Sequence, residues 1–122
     1  MVVDITTSQN KNMFKGDNRI FTITVKDASG VAVDITGGAM VFTMKKHEND
    51  PTGLIVKDSA VGVAEVEFTN PTNGIADIKL LPADTSGLPA ITYVYDVQFT
   101  TSLGSVHTLL KSKLTLFEDV TS

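Results

Sequence analysis

Apolar and polar residues alternate with a period of two through most of this chain, and this alternation limits the possible folds more than any other feature of the sequence. In segment 19–26, for example, Phe21, Ile23 and Val25 share one parity, and the residues between them are threonines. Alternate side chains of an extended strand point to opposite faces of a sheet. The segment is therefore predicted to be a strand with one buried face.

The same pattern predicts further strands along the chain. Their apolar members are Met40, Phe42 and Met44; Ala64, Val66 and Phe68; Ala76, Ile78 and Leu80; Ile91, Tyr93, Tyr95, Val97 and Phe99; and Val106, Leu110, Leu114 and Leu116. The last two strands are predicted to form a hairpin through residues 102–105. Segments rich in Pro, Gly, Asn and Asp, which favour turns, separate the strands at 27–30, 50–53, 70–74 and 81–89.

Short strands at this spacing, without a long segment of helical period, predict an all-β sandwich or barrel. The one helical candidate is a single turn within 82–87. The chain has 122 residues, which fits one domain, 1–122. Within it, residues 1–14 are either an edge strand of the same domain or an N-terminal arm that reaches a neighbour.

Composition disfavours several classes of function. The formal net charge is −4 and the basic residues are scattered, whereas nucleic-acid binding requires concentrated positive charge. No apolar run approaches the length that crosses a bilayer, and the N-terminus does not read as a secretory signal. We therefore expect neither nucleic acid nor membrane as a partner, and synthesis in the cytoplasm. The chain contains no cysteine that could supply thiolate ligands or disulfides.

Few residues of the sequence are candidates for catalysis. The two histidines, His47 and His107, are predicted to lie in a solvent loop and on an outer sheet face, the latter because Val106 and Thr108 are expected to face the core. Glu65 and Glu67 share a face of one strand, which is typical of a solvated surface rather than of a hydrolytic carboxylate pair. Neither a nucleophile elbow, nor a calcium loop, nor a phosphate-binding glycine loop is present. The sequence therefore predicts a protein that is not an enzyme and has no cofactor or metal.

Aromatic residues also favour a structural interpretation. The chain has no Trp, and its two tyrosines, Tyr93 and Tyr95, fall on the core parity of one strand. Tyr93 lies near the start of the penultimate strand, where immunoglobulin-like domains place a tyrosine corner that bonds backbone a few residues upstream. Asp96, a charge within that strand, is expected to pair with Lys111 or Lys113 of the next strand.

Several segments together resemble a known family. They are Lys15-Gly16-Asp17, Val33-Asp34-Ile35-Thr36-Gly37, the run from Tyr93 to Gln98, the run from Leu109 to Thr115, and the closing Glu118 to Thr121. In this order and spacing they resemble tailed-phage proteins that include the immunoglobulin-like N-terminal domain of the upper baseplate protein of phages infecting Gram-positive bacteria. The resemblance spans roughly residues 15–121. Its motifs are moderately specific, because each piece alone is ordinary turn and strand sequence.

The resemblance implies a fold and a role. The fold is an all-β, immunoglobulin-like β-sandwich of about seven to nine antiparallel strands, and the role is attachment to the virion tail. Gly16 and Asp17 would form the turn entering one strand, and Asp34 to Gly37 the turn into the next. Tyr93, Tyr95 and Asp96 would stabilise the hairpin that closes the sheet.

Two departures from the family bear on this interpretation. Ser112 stands where the family has a glycine, which bears on the local bulge expected there. Upper baseplate proteins also continue into a stalk, whereas this sequence ends at Ser122. A head-tail connector or capsid-decorating subunit is therefore an alternative to a baseplate component.

The functional hypothesis is a non-enzymatic structural component of a phage virion, in the tail or baseplate, that acts by protein-protein docking. Its partners would be other virion proteins, with homo-oligomers in the assembly, and its location the virion after synthesis in the bacterial host. The alternative from a different class is a carbohydrate- or receptor-binding module. The candidate interface residues are Met13, Phe14, Leu54, Ile55, Val94, Leu109 and Phe117.

Overall fold

The computed structural model describes residues 2–5 and 12–118, and for residues 2–5 it describes the backbone alone. Nine strands lie within these ranges. They are β1 (Val2–Ile5), β2 (Asn12–Phe14), β3 (Arg19–Lys26), β4 (Ala39–Lys45), β5 (Ile55–Asp58), β6 (Val66–Asn70), β7 (Ile75–Leu80), β8 (Thr92–Thr100) and β9 (Val106–Phe117). The predicted helical turn is α1 (Pro82–Thr85), and a 3-10 turn at Pro71–Asn73 was not predicted. The end of the family-like closing segment, beyond Glu118, lies outside the described residues.

The strands form two sheets, a four-stranded one with the order β1-β3-β7-β6 and a five-stranded one with the order β2-β9-β8-β4-β5. The strands β8 and β9 form the predicted hairpin, and β4 pairs with β8. Two facing sheets with this strand order define an immunoglobulin-like β-sandwich. The predicted fold class is therefore confirmed.

One pair departs from the expected antiparallel arrangement, because β2 runs parallel to β9 with Asn12 opposite Thr115 and Phe14 opposite Phe117. Strands joined by a tight turn must run antiparallel, but β2 and β9 lie at opposite ends of the sequence, so no turn fixes their direction. Both described parts of segment 1–14 are edge strands, since β1 borders β3 and β2 borders β9. Met1 and residues 6–11 lie outside the described residues.

The core lies between the sheets and is built from the side chains of inward parity. At its centre Phe21 of the four-stranded sheet stacks against Phe42 and Tyr95 of the five-stranded sheet, with ring centroids 6.1 and 6.0 Å away. Phe42 and Tyr95 are themselves 5.2 Å apart. Aromatic rings at these separations attract one another beyond the effect of their buried area. This cluster therefore holds the two sheets together.

The alternation in β9 is interrupted where the pairing with β8 shifts register. Leu110 lies opposite Val97 and Thr108 lies opposite Gln98, so β9 has one extra residue, Leu109, between these pairs. An extra residue in a strand reverses the parity of everything before it. The prediction that Val106 and Thr108 face the core is therefore wrong, and both are exposed.

The same shift in register locates the bulge that the family resemblance implied near Ser112. Ser112 lies directly opposite Tyr95 in regular pairing, so the bulge is at Leu109 rather than at the serine.

The predicted start of the strand that contains Val66 is also wrong, because β6 begins at Val66. Ala64 precedes the strand and is exposed, contrary to its predicted core position.

An ion pair ties the edge strand β5 to the connection between the sheets. Lys57 is only 5% exposed and points inward, and its Nζ lies 2.8 Å from Oδ2 of Asp84 in α1. The same carboxylate oxygen accepts a hydrogen bond from the backbone N–H of Leu81 at 2.7 Å. A buried ammonium needs such a partner, because water no longer solvates it.

Removing either charge of this pair should therefore have unequal effects. We expect Asp84→Asn to lower the free energy of unfolding by about 3 kcal/mol, because it leaves the buried ammonium of Lys57 without its counter-charge. We expect Lys57→Met to cost less than about 1.5 kcal/mol, since the aliphatic stem is kept and Asp84 remains partly solvated. Equilibrium unfolding in urea measures both values. Equal losses would contradict this account of the pair.

Candidate docking surface

Burial separates the candidate interface residues into two groups. Met13 and Ile55 are 5% and 4% exposed and belong to the core, so the prediction that they lie at an interface is wrong. The physical reason is parity, because each occupies an inward-facing position of a very short strand. Leu109 is half-buried and packs against the core.

The other four candidates lie at the surface of the five-stranded sheet or beside it. Phe14 and Phe117 are 53% and 44% exposed, lie opposite each other, and have ring centroids 6.2 Å apart. Val94 is half-buried on the outward parity of β8, and Leu54 is exposed just before β5. We call the outward side of this sheet the outer face. Val56, an exposed residue opposite Thr43, adds to it and was not predicted.

A row of three side chains crosses three adjacent strands of the outer face. Lys45 of β4 and Lys113 of β9 both lie opposite Val94 of β8, one on each side. We call these three residues the lysine row. The outward parity of both lysines was readable from the sequence, but their alignment with Val94 required the register of three strands.

The adjoining row contains Asp96, which lies between Thr43 and Lys111. Lys111 is the register partner that the sequence predicted for Asp96, yet its Nζ forms an ion pair with Glu48 in the β4–β5 connection. The predicted pairing with Lys111 or Lys113 is therefore wrong as an ion pair. A depression of about 50 Å³ opens here, lined by Thr43, Lys45, Glu48, Val94, Tyr95, Asp96 and Lys111.

The outward side of the four-stranded sheet differs in character. Its polar groups bond to one another: Thr22 donates to Asp77 at 2.8 Å. Lys79 forms an ion pair with Glu67 at 2.7 Å. Of the large apolar residues on β3, β6 and β7, whose side chains are described, Ile20 is the exposed one. Among the residues whose side chains are described, exposed apolar strand residues are therefore more numerous on the outer face of the five-stranded sheet.

The residues of the family pattern near β3 and β4 shape turns, as predicted. Gly16 has a φ of 81° in the turn before β3, and its N–H donates to the buried hydroxyl of Thr85 at 2.9 Å. The exposed carboxylate of Asp34 accepts a hydrogen bond from Thr36 N–H at 2.9 Å. Hydrogen bonds from the Thr36 side chain and backbone lower the pKa of Asp34. Gly37 follows with a φ of 79°, a conformation that favours glycine.

Tyr93 forms the predicted tyrosine corner. Its side chain is fully buried, and its hydroxyl donates to the backbone carbonyl of Pro89 at 2.7 Å. Burial raises the pKa of Tyr93, so the hydroxyl keeps its proton as a donor. Burial also raises the pKa of Tyr95, an effect partly offset by a hydrogen bond with Ser112 and by the charge of Arg19. Both tyrosines are therefore parts of the core.

The residues considered for catalysis lie apart in the structure. His47 is in an exposed turn, and His107 is exposed on β9 opposite Phe99. Glu65 accepts a hydrogen bond from the backbone N–H of Asp58 at 3.0 Å, and Glu67 is paired with Lys79. Among the described residues, no three His, Cys, Asp or Glu side chains are placed to hold a metal ion. Within the same residues, no helix has the length and apolar character to span a membrane.

No family model and no curated protein matches the sequence. Among solved structures, the chain is similar to the filamin domain of Lin-41, with 16% sequence identity, coverage of 94% of this chain and 91% of that chain, and a TM-score of 0.49. It is also similar to murine CRIg, with 11% identity, coverage of 98% and 99%, and a TM-score of 0.44. Both likenesses are distant, and the fold is assigned from the strand order given above.

The tyrosine corner makes a prediction for one hydroxyl group. We expect Tyr93→Phe to lower the free energy of unfolding by about 0.5 to 1.5 kcal/mol, because it removes the hydrogen bond from the buried phenol to the Pro89 carbonyl, which keeps the N–H of Ile91 as its other donor. Thr92→Val, which removes the exposed hydroxyl bonded to Thr115, is the matched control and should cost less than about 0.5 kcal/mol. Urea unfolding measures both. A smaller loss for Tyr93→Phe than for the control would contradict the structural role.

Proposed function

We propose that this chain is a non-enzymatic structural component of a tailed-phage virion, in the tail or baseplate, that docks onto other virion proteins through its outer face. The phage assignment is supported by the sequence resemblance to the upper baseplate family. The mode of action is supported by the exposed apolar and aromatic residues on one side of the sandwich. Large exposed apolar patches on folded domains mark interaction surfaces.

The contrast between the two sheets is the observation that carries the docking surface. On the four-stranded sheet, polar side chains such as Asp77 and Glu67 already have partners within the domain. On the outer face, Phe14, Val56 and Phe117 expose apolar surface that none of the described residues covers. Covering such surface is the main driving force of protein association.

Two of the four edge strands, β5 and β6, are poor alternatives to the outer face. The edge strand β5 has four residues and carries an inward-pointing charge, Lys57. On the other sheet, the edge strand β6 pairs irregularly between Glu67 and Asn70. Short strands, inward-pointing charges and bulges all oppose the addition of a further strand. Docking through the outer face is therefore favoured over strand addition at these two edges.

A head-tail connector or capsid-decorating subunit uses the same mode of action. Docking through the outer face is compatible with each of these locations in the particle. These assignments differ in the location of the chain within the particle, not in the chemistry of its surface.

Carbohydrate or receptor binding is the second candidate, and one feature favours it. A cleft of about 440 Å³ borders Phe14 and Phe117 and is also lined by Asn12, Asn18 and Arg19. Aromatic rings beside amide and guanidinium groups suit a saccharide. The two rings are tilted by 52°, however, so both cannot lie flat against one sugar. We therefore keep carbohydrate or receptor binding as the second candidate.

Mass spectrometry of purified phage particles tests the proposal. Particles are prepared from a lysate of the phage that encodes this chain, and a phage enzyme that is not packaged serves as the control. We expect the chain to copurify with the known structural proteins at a constant ratio, while the enzyme is depleted. Absence of the chain from intact particles would overturn the proposal. A glycan array that shows binding lost on Phe14→Ser would favour the second candidate.

A further inference from the structure

We infer that the partner of the outer face is a protein surface that carries acidic groups around an apolar side chain, and that it binds across the lysine row. This inference rests on the proposed docking function and adds the chemistry of the partner. It follows from three features: the sign of the charge around the lysine row, the lack of ion-pair partners for two lysines among the described residues, and their spacing.

The charge around the lysine row has the opposite sign to that of the whole chain. The formal net charge is −4. In the lysine row and the adjoining row, however, Lys45, Lys111 and Lys113 lie near two carboxylates, Asp96 and Glu48. The formal charge of this group of five residues is therefore +1 within an acidic protein. Complementary charge on a partner steers encounter and fixes the orientation of the complex.

Two of these lysines have no ion-pair partner among the described residues. Lys111 is paired with Glu48. Lys45 and Lys113 form no ion pair with any residue in the described ranges 2–5 and 12–118. Their ammonium groups are thus available to carboxylates of another molecule, whereas the lysines of the opposite sheet, such as Lys79, are already engaged.

The spacing of the lysine row defines what fits. Lys45 and Lys113 lie on the two strands that flank β8, so their backbone positions are about 10 Å apart. Half-buried Val94 lies between them, next to the depression of about 50 Å³. The complement is a pair of carboxylates at a similar separation with an apolar side chain between them. On an α-helix, residues seven positions apart are about 10.5 Å apart on one face.

Pairing of two lysine rows with each other is disfavoured. Symmetric pairing of two outer faces about Val94 would bring lysine rows of like charge together. Like charges placed opposite each other oppose association. A surface with excess carboxylate therefore complements the lysine row better than a second lysine row does.

A titration with a designed peptide tests this inference. The probe is a helical peptide with Glu at positions i and i+7 and Leu at i+3 and i+4, and the control peptide has Gln in place of both Glu residues. Binding to the ¹⁵N-labelled chain is followed by NMR. We expect amide shifts at Lys45, Val94 and Lys113 with the Glu peptide and at least about tenfold weaker binding of the Gln peptide.

Charge-reversal variants complete the test. The double variant Lys45→Glu and Lys113→Glu should weaken the Glu peptide by more than about tenfold, whereas Lys46→Glu, an exposed neighbour in the β4–β5 connection, should leave it unchanged. The dispersed spectrum of each variant verifies its fold. No binding, equal binding of the Gln peptide, or shifts confined to other surfaces would overturn the inference. If the chain is nevertheless present in virions, the docking proposal stands and only the partner chemistry fails.

Discussion

Contact between two aromatic side chains of the five-stranded sheet and one of the four-stranded sheet is the interaction on which this structure depends. Phe42 and Tyr95 meet Phe21 across the interior at centroid distances of 6.0 to 6.1 Å. Because alternate residues of each strand must point the other way, the same strands that build this core also build two outward surfaces. The inward-facing residues thus stabilise the sandwich, and the outward-facing residues of the same strands remain at the surface.

The sequence predicted the longer strands well, because several alternating residues fix the parity of β3, β4, β7 and β8. It failed where that redundancy is missing. Met13 and Ile55 sit in strands of three and four residues with apolar neighbours, so either parity is compatible with the sequence. The bulge at Leu109 reverses the parity of the residues before it in β9. This bulge could not be predicted from the sequence of β9, because it depends on the pairing with β8. The burial of Lys57 depends on Asp84, which is distant in sequence.

The candidate surface was predictable in its members and less so in its arrangement. Phe14, Val94 and Phe117 were identified as apolar residues on outward parity or in loops, and all three lie on the outer face. The lysine row was not identified, because it exists only when β4, β8 and β9 are aligned in register. The ion-pair partner of Lys111 could not be predicted from the sequence either. Lys111 lies opposite Asp96, yet it forms its ion pair with Glu48 of the β4–β5 connection. Sequence patterns give the face of a side chain, whereas its neighbours depend on the tertiary fold.

Lysine acetylation, quantified by mass spectrometry in the free chain and in the assembled particle, tests most directly whether the outer face is the docking surface. The account predicts that Lys45 and Lys113 become strongly protected on assembly, while exposed Lys46 in the adjoining connection stays reactive. Equal reactivity of Lys45 and Lys113 in the two states, with protection on the four-stranded sheet instead, would contradict it.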